Sequence, residues 1–104
     1  MVFVETPTFT KRVAELLEDE SYAELQHLLV HRPDAGDVIR GSGGIRKIRW
    51  AGRGRGKRGG VRVIYYWWVR KDRISMLHLY PKNEREDLSP SDLKLLRQIL
   101  ETAP

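Results

Sequence analysis

The chain of 104 residues is 40% hydrophobic and 32% charged, so it is long enough for one core, too short for two and too apolar for a disordered segment. It contains no cysteine, which excludes disulfides, thiolate chemistry and cysteine-based zinc sites. The net charge is +5, yet eleven of the 19 basic residues lie within 38–71, which has no acidic residue, and the other positions carry 8 basic and 14 acidic residues. These features predict a single domain over residues 1–104 that binds a polyanion through one continuous basic stretch.

The N-terminal segment does not have the layout of a secretion signal. MVFVETPTFTKRV lacks a basic region followed by an apolar one, and no apolar run approaches the roughly 18 residues of a membrane span. We therefore expect a cytoplasmic protein without membrane association.

The first third of the chain predicts one strand and two helices. Val2-Phe3-Val4 is short and rich in β-branched residues, which suits an opening strand. Thr6-Pro7 is typical of a helix start, and a second helix is expected to begin near Asp19 or Ser21, either of which can cap it, and to end before Pro33. Helical spacing predicts two core stripes, made of Phe9, Val13, Leu16 and Leu17 in the first helix and Tyr22, Leu25, Leu28 and Leu29 in the second.

Three strands follow. Gly41-Ser-Gly-Gly44 is a turn, and residues 45–50 then alternate in polarity as a strand does. The segment 61–69, VRVIYYWWV, is the strongest strand signal, and residues 74–80 are expected to pair with it across a short turn around Lys71-Asp72. Neighbouring Trp67 and Trp68 point to opposite faces, so that one of them is expected to meet a protein partner.

The closing segment predicts a capped helix. Ser89-Pro90-Ser91-Asp92 has a capping residue, a proline at the first helical position and an acid at the third, and the stripe that follows is Leu93, Leu96, Ile99 and Leu100. The resulting order β-α-α-β-β-β-α predicts an α+β fold, with helices packed on one face of a mainly antiparallel sheet and the other face open. The basic residues of the middle strands are expected on that open face or on its loops.

Lysine, arginine and tyrosine are the side chains left for catalysis, because the sequence offers no metal-ligand cluster and no Ser/His/Asp set. RNA suits such groups, since a ribose 2′-hydroxyl can attack the adjacent phosphate when the reacting atoms are positioned and the phosphate charge is neutralised. Lys47 and Arg49 share one strand face, and Arg62 can face them from the next strand. We expect the arginines to hold a phosphate and Lys47, crowded by them, to act as general base. No metal or other cofactor is expected.

Further candidates lie where the last strand ends. Tyr80 is expected to stack on an RNA base, with an ordinary core tyrosine as an equal alternative, and Lys82 to protonate the leaving 5′-oxygen. His78 suits proton transfer, although a lone strand histidine is more often structural. The side chains assigned to RNA or ribosome contact are Arg46, Arg53, Arg55, Lys57, Arg58, Asn83 and His78.

Three motifs in order carry a family resemblance. Gly43-Gly-Ile-Arg-Lys-Ile-Arg49, Gly56-Lys-Arg-Gly-Gly-Val-Arg-Val-Ile-Tyr-Tyr66 and Leu79-Tyr-Pro-Lys-Asn-Glu84 resemble the RelE/HigB toxins, especially the HigB branch. The resemblance implies a compact RelE-like fold and an endonuclease that cleaves messenger RNA in the ribosomal decoding site, leaving a 2′,3′-cyclic phosphate. It also implies a HigA-like antitoxin with a helix-turn-helix, through which alone the toxin would be held on operator DNA.

The resemblance also implies site residues. Its paired basic residues fall on Lys47 and Arg49, its phosphate-binding arginine on Arg62, and its later basic residue on Lys82 or Asn83. The family tyrosine before the last helix is absent, because this sequence has Leu88-Ser89 there. Tyr80, Lys82 and His78 therefore remain alternatives for the acid and the base.

Two other interpretations are compatible with the basic stretch. A non-catalytic module that binds RNA or the ribosome needs only the basic strand face and loop. A protein-interaction surface that receives an acidic segment of a partner is also possible, and it is compatible with the toxin hypothesis.

Overall fold

The structure is a computed structural model that describes residues 1–54, 60–85 and 87–103. It confirms the α+β fold and the predicted order of elements, and it adds a two-residue strand that no sequence pattern indicated. The elements are β1 (Val2–Glu5), α1 (Pro7–Leu16), α2 (Asp19–His31), β2 (Asp37–Val38), β3 (Arg46–Trp50), β4 (Val61–Trp68), β5 (Arg73–Pro81) and α3 (Pro90–Glu101).

The five strands form one sheet in the order β1-β5-β4-β3-β2. The pair β1 and β5 is parallel, and the other three pairs are antiparallel, which confirms the mainly antiparallel sheet. The register between β4 and β5 shifts after Ile64, which pairs with His78, because Tyr65 pairs with Met76. Leu77 is therefore the extra residue of a β-bulge.

The sheet is covered by helices on both faces. Val61, Val63 and Tyr65 of β4 belong to one apolar cluster with residues of α1 and α2. Ile64 belongs to a second cluster with Leu96 and Leu100 of α3, and strand alternation places it on the other face. The expectation of helices on one face therefore holds for α1 and α2, whereas α3 covers part of the face that was expected to stay open.

The N-terminal caps of two of the three helices are the ones that the sequence predicts. Thr6 caps α1 by accepting a hydrogen bond from the Phe9 backbone at 3.1 Å. Ser89 and Asp92 form a reciprocal capping box at the start of α3. The start of α2 at Asp19 agrees with the prediction, but the N-cap is Glu18 and makes no side-chain capping bond, so neither Asp19 nor Ser21 has that role.

Two further observations concern the helices. Leu96 and Leu100 are buried as predicted, whereas Ile99 is 43% exposed and lies outside the core. In the described parts of the chain, no helix has both the length and the apolar character that a membrane span needs.

Candidate functional site

Three adjacent strands place Arg49, Arg62 and Tyr80 side by side. Arg49 of β3 is opposite Arg62 of β4, and Arg62 is opposite Tyr80 of β5. Residues directly opposite in antiparallel strands point to the same face, with Cβ atoms about 5 Å apart. Lys47 precedes Arg49 by two residues and shares its face. The structure therefore brings together Lys47, Arg49 and Arg62, as the strand alternation predicted.

Arg62 and Tyr80 are buried, and each keeps a polar atom without a partner. Arg62 is 3% exposed and Tyr80 is 0% exposed. In residues 1–54, 60–85 and 87–103, Arg62 Nη1 and Tyr80 Oη have no hydrogen-bond partner. An unpaired buried donor raises the free energy of the folded protein, and an unpaired buried charge does so more strongly. Both atoms carry a hydrogen that can be donated to an acceptor.

Burial defines what Tyr80 can do. Its ring lies in the cluster that includes Ile64 and Leu96, so it is not available to stack on an RNA base as expected. Burial raises the pKa of its hydroxyl above the ordinary value of 10.0, and the charge of Asp87 raises it further. The hydroxyl is therefore protonated at neutral pH and can act as a hydrogen-bond donor.

An acidic residue that the sequence did not indicate, Asp87, lies beside the row formed by Arg49, Arg62 and Tyr80. Asp87 Oδ1 accepts a hydrogen bond from Lys47 Nζ at 2.7 Å. This hydrogen bond lowers the pKa of Asp87 below its ordinary value of 3.8, and the charges of Lys47 and Arg62 lower it further. Asp87 is thus an anion that lies beside Lys47 and Arg62. In the absence of RNA, the Lys47 amine is already paired with this carboxylate.

His78 lies opposite Ile64, two residues before Tyr80, and its ring centroid is 5.8 Å from that of Tyr80. Burial lowers the pKa of His78 below 6.5, and the charges of Arg12 and Arg85 lower it further. His78 is consequently neutral at neutral pH, so it brings no positive charge to RNA.

The segment that joins β5 to α3 is tied to three elements by ion pairs. Glu84 forms two hydrogen bonds with Arg12 of α1, at 2.9 and 3.1 Å. Asp87 pairs with Lys47 of β3, and Arg85 pairs with Asp92 of α3. All of these side chains are partly or largely exposed, so solvent screens each pair and its contribution to stability is small. In the sequence, the only indication of these ion pairs is that residues 82–87 contain both acidic and basic side chains, and this does not identify their partners.

Two of the residues assigned to RNA contact have structural partners instead. Arg46 Nη1 donates to the carbonyl oxygens of Gly36 at 2.7 Å and Asp34 at 3.2 Å, and Arg46 points away from the face of Lys47. Arg53 pairs with Glu18 at 2.8 Å and donates to the Ala14 carbonyl, which fixes it against the helices.

The other assigned residues lie at the loops. Lys82 and Asn83 are exposed and directly follow Pro81, which pairs with Val61 beside Arg62. They are therefore at the end of the sheet that carries the row of Arg49, Arg62 and Tyr80. Arg55, Lys57 and Arg58 fall outside the described residues. Within the described residues, no group of three histidines or carboxylates has the geometry to hold a metal ion.

Comparison with known families identifies the chain. A family model described as the RelE toxin of the RelE / RelB toxin-antitoxin system matches residues 30–103. This match covers more than two thirds of the chain and extends from the end of α2 to the end of α3. It includes the row of Arg49, Arg62 and Tyr80 together with Lys47 and Asp87. The chain therefore belongs to the RelE toxin family of toxin-antitoxin systems.

Proposed function

We propose that the protein is a ribosome-dependent messenger-RNA endonuclease, the toxin of a type II toxin-antitoxin system of the HigB branch. The observation that carries this proposal is a pair of buried donors, Arg62 Nη1 and Tyr80 Oη, that have no partner among the described residues and lie on the sheet face of Lys47 and Arg49. A phosphate oxygen of the message would accept hydrogen bonds from these donors. Its negative charge would add to that of Asp87 in compensating the buried guanidinium of Arg62.

The reaction is a transesterification within the RNA. The ribose 2′-oxygen attacks the adjacent phosphorus and its proton passes to a base, while the bond from phosphorus to the 5′-oxygen breaks and that oxygen takes a proton from an acid. The products are a 2′,3′-cyclic phosphate and a 5′-hydroxyl. Arg62 and Arg49 stabilise the charge that develops on the phosphate oxygens, so the reaction needs no metal ion.

The proton carriers are drawn from the lysines at the site. Lys47 is the proposed base and Lys82 the proposed acid, because both lie at the end of the sheet that carries Arg62. Before it can accept the proton of the 2′-hydroxyl, Lys47 must leave the Asp87 carboxylate and give up its own proton. Tyr80 keeps its proton and therefore positions the phosphate, while the neutral His78 is the alternative proton acceptor.

A protein antitoxin is the partner that family membership implies, and the family description names RelB for its own system. For this chain we propose a HigA-like antitoxin with a helix-turn-helix, which would bind operator DNA and hold the toxin there. Growth rescue by the product of the adjacent gene, followed by co-purification of both proteins, tests that assignment.

The phosphate-binding role of Arg62 is tested by growth after induced expression of Arg62→Met. Methionine retains much of the buried volume and removes the charge and the donors. We expect loss of growth inhibition, with cleavage reduced about 100-fold or more, the usual effect of removing a donor that stabilises a developing oxyanion.

Arg40→Gln is the matched control, because Arg40 is exposed and lies in the same basic stretch but outside the row. It should remain toxic. Both variants should retain antitoxin binding, which shows that they are folded. Full toxicity of a folded Arg62→Met variant would contradict the site, and ribosome binding without any cleavage by the wild type would favour the non-catalytic module.

A further inference from the structure

A cavity lies on the sheet face that carries Arg62, at the opposite end of β4 from that residue. It has a volume of about 290 Å³, near the lower end of the range for small-ligand pockets. Strand alternation puts Arg62, Ile64, Tyr66 and Trp68 on one face, so Trp68 is about 20 Å along the strand from Arg62. The cavity is therefore separate from the proposed catalytic row. Its lining is Tyr66, Trp68, Lys71, Arg97, Leu100, Glu101 and Ala103.

Two aromatic rings form one wall of this cavity. The Tyr66 and Trp68 centroids are 4.9 Å apart, and the rings meet edge to face at 73°. The Trp68 indole donates to Ser75 Oγ at 2.9 Å, which fixes the ring orientation. Both residues are only partly buried, so part of their surface is accessible from the cavity. Trp67 packs against the cluster on the other face, so Trp68 is the tryptophan on this side of the sheet. From the sequence, one of the two was expected to meet a protein partner.

Positive charge faces the rings from two elements. Lys71 Nζ lies 4.8 Å from the centroid of a Trp68 ring. From α3, Arg97 makes two contacts that are long for their type, 3.5 Å to the Gly43 carbonyl and 3.8 Å to Glu101, and its side chain is 37% exposed. The Arg97 guanidinium thus retains donors for an anion at the mouth of an aromatic cavity.

The glycine turn before β3 is built around these side chains. A Cβ at Gly43 would lie 3.1 Å from the Arg97 guanidinium carbon, and one at Gly44 would lie 3.3 Å from the Tyr66 ring. Both glycines have positive φ angles, 73° and 106°, which other residues rarely adopt. The turn therefore packs closely against both the aromatic and the cationic side of the cavity.

We propose that this cavity is a second RNA-binding site, which takes one unpaired nucleotide by stacking its base on the Tyr66 ring, with the Trp68 ring at the edge of the base, and by pairing its phosphate with Arg97. Unpaired bases are bound in this way because every base has a π-face and every nucleotide a phosphate. The proposal shares with the proposed function only the premise that RNA is the ligand. It concerns residues that take no part in cleavage.

The test follows the indole N–H resonance of Trp68 by NMR while a short single-stranded oligoribonucleotide is added. The protein carries Arg62→Met, so that the RNA is not cut and the first site is disabled. We expect a saturable shift of the Trp68 signal with single-stranded RNA and none with a duplex of the same length, whose bases are already stacked. Arg97→Gln should weaken this binding about fivefold, the order expected for one exposed charge contact. Lys94→Gln removes the same charge from the exposed side of α3 and should leave binding unchanged.

The source of the nucleotide is identified by chemical footprinting of programmed ribosomes with the Arg62→Met protein, which leaves the message intact, and with the same protein carrying Arg97→Gln as well. A base in the message that only the first protein protects assigns the cavity to the message, and one in ribosomal RNA assigns it to the ribosome. An unshifted Trp68 signal, or equal binding with and without Arg97→Gln, would overturn the second site. Because both proteins carry Arg62→Met, this comparison is separate from the test of Arg62 in toxicity.

Discussion

Burial is what distinguishes Arg62 from the other cations of the basic stretch. Arg49 is exposed and Lys47 is paired with Asp87, whereas Arg62 is 3% exposed and its Nη1 has no partner in the part of the chain that the structure describes. A buried unpaired cation lowers stability, and a fold retains such a group where a ligand compensates the charge. The row of Arg49, Arg62 and Tyr80 is therefore better explained by anion binding than by packing.

Asp87 is expected to weaken RNA binding for two reasons. Its carboxylate accepts a hydrogen bond from the Lys47 amine, which RNA would otherwise receive, and it adds negative charge beside Arg62. Asp87→Asn should tighten the binding of single-stranded RNA about two- to fivefold, which is the range for one exposed ion pair. Fluorescence anisotropy of a labelled oligonucleotide measures this change. Glu24→Gln, which removes an equal charge from the exposed surface of α2, serves as the control. Weaker binding by Asp87→Asn would show that the carboxylate assists RNA binding instead.

His78 gives the folded protein a predictable dependence on pH. Because its pKa is lowered in the folded state, the unfolded chain binds a proton more readily once the pH falls below about 6.5. The folded protein therefore keeps its full stability above that pH, and it loses part of its free energy of unfolding as the pH falls toward the folded-state pKa of His78. Urea unfolding at about pH 7.5 and about pH 5.5 should show a smaller loss of stability for His78→Gln than for the wild type. The exposed His27 provides the control variant His27→Gln, and equal losses in the wild type and His78→Gln would contradict this account.

At the scale of elements, one threonine connects α1 to the bulge that precedes the site. Thr6 Oγ1 accepts from the Phe9 backbone and donates to the carbonyl oxygen of Leu77 at 2.8 Å. Leu77 is the bulged residue of β5, so this hydrogen bond joins the bulge to the start of α1. The helix cap and the position of His78 and Tyr80 thus depend on the same hydroxyl.

Thr6→Ala should lower the free energy of unfolding by about 1–2 kcal/mol, because it removes a cap and leaves a carbonyl of the bulge without its hydrogen bond. Thr8→Ala, at an exposed position of the same helix, should change stability by about 0.5 kcal/mol or less. Denaturant unfolding compares the two variants. Equal stability of Thr6→Ala and Thr8→Ala would show that the hydroxyl has no such role.

The elements also show how far the sequence could predict the fold. Strand alternation was sufficient for the shared face of Lys47, Arg49 and Arg62, and the capping signals were sufficient for the starts of α1 and α3. The side on which α3 packs was not predictable, because an amphipathic helix shows that it buries one face but does not identify the surface it covers. The two residues of β2 are too few to show any period.

At the scale of the whole molecule, the basic stretch does not form one uniform RNA surface. Arg46 and Arg53 stabilise the turn and the helices, while Lys47, Arg49 and Arg62 share the sheet face that carries the proposed catalytic row. The distribution of charge along the sequence could not separate the structural arginines from those of the site. Their roles depend on which face of the strand each side chain occupies and on partners distant in sequence, such as Glu18. The acidic Asp87, which lies outside the basic stretch, belongs to the site for the same reason.

The protein is proposed to cut messenger RNA on the ribosome. The most direct measurement adds purified protein to ribosomes programmed with a defined message, and to the same message alone, and maps the new 5′ ends by primer extension. We predict cuts that require the ribosome, that carry a 5′-hydroxyl and that disappear with Arg62→Met. An intact message on ribosomes to which the protein is tightly bound would contradict the endonuclease assignment.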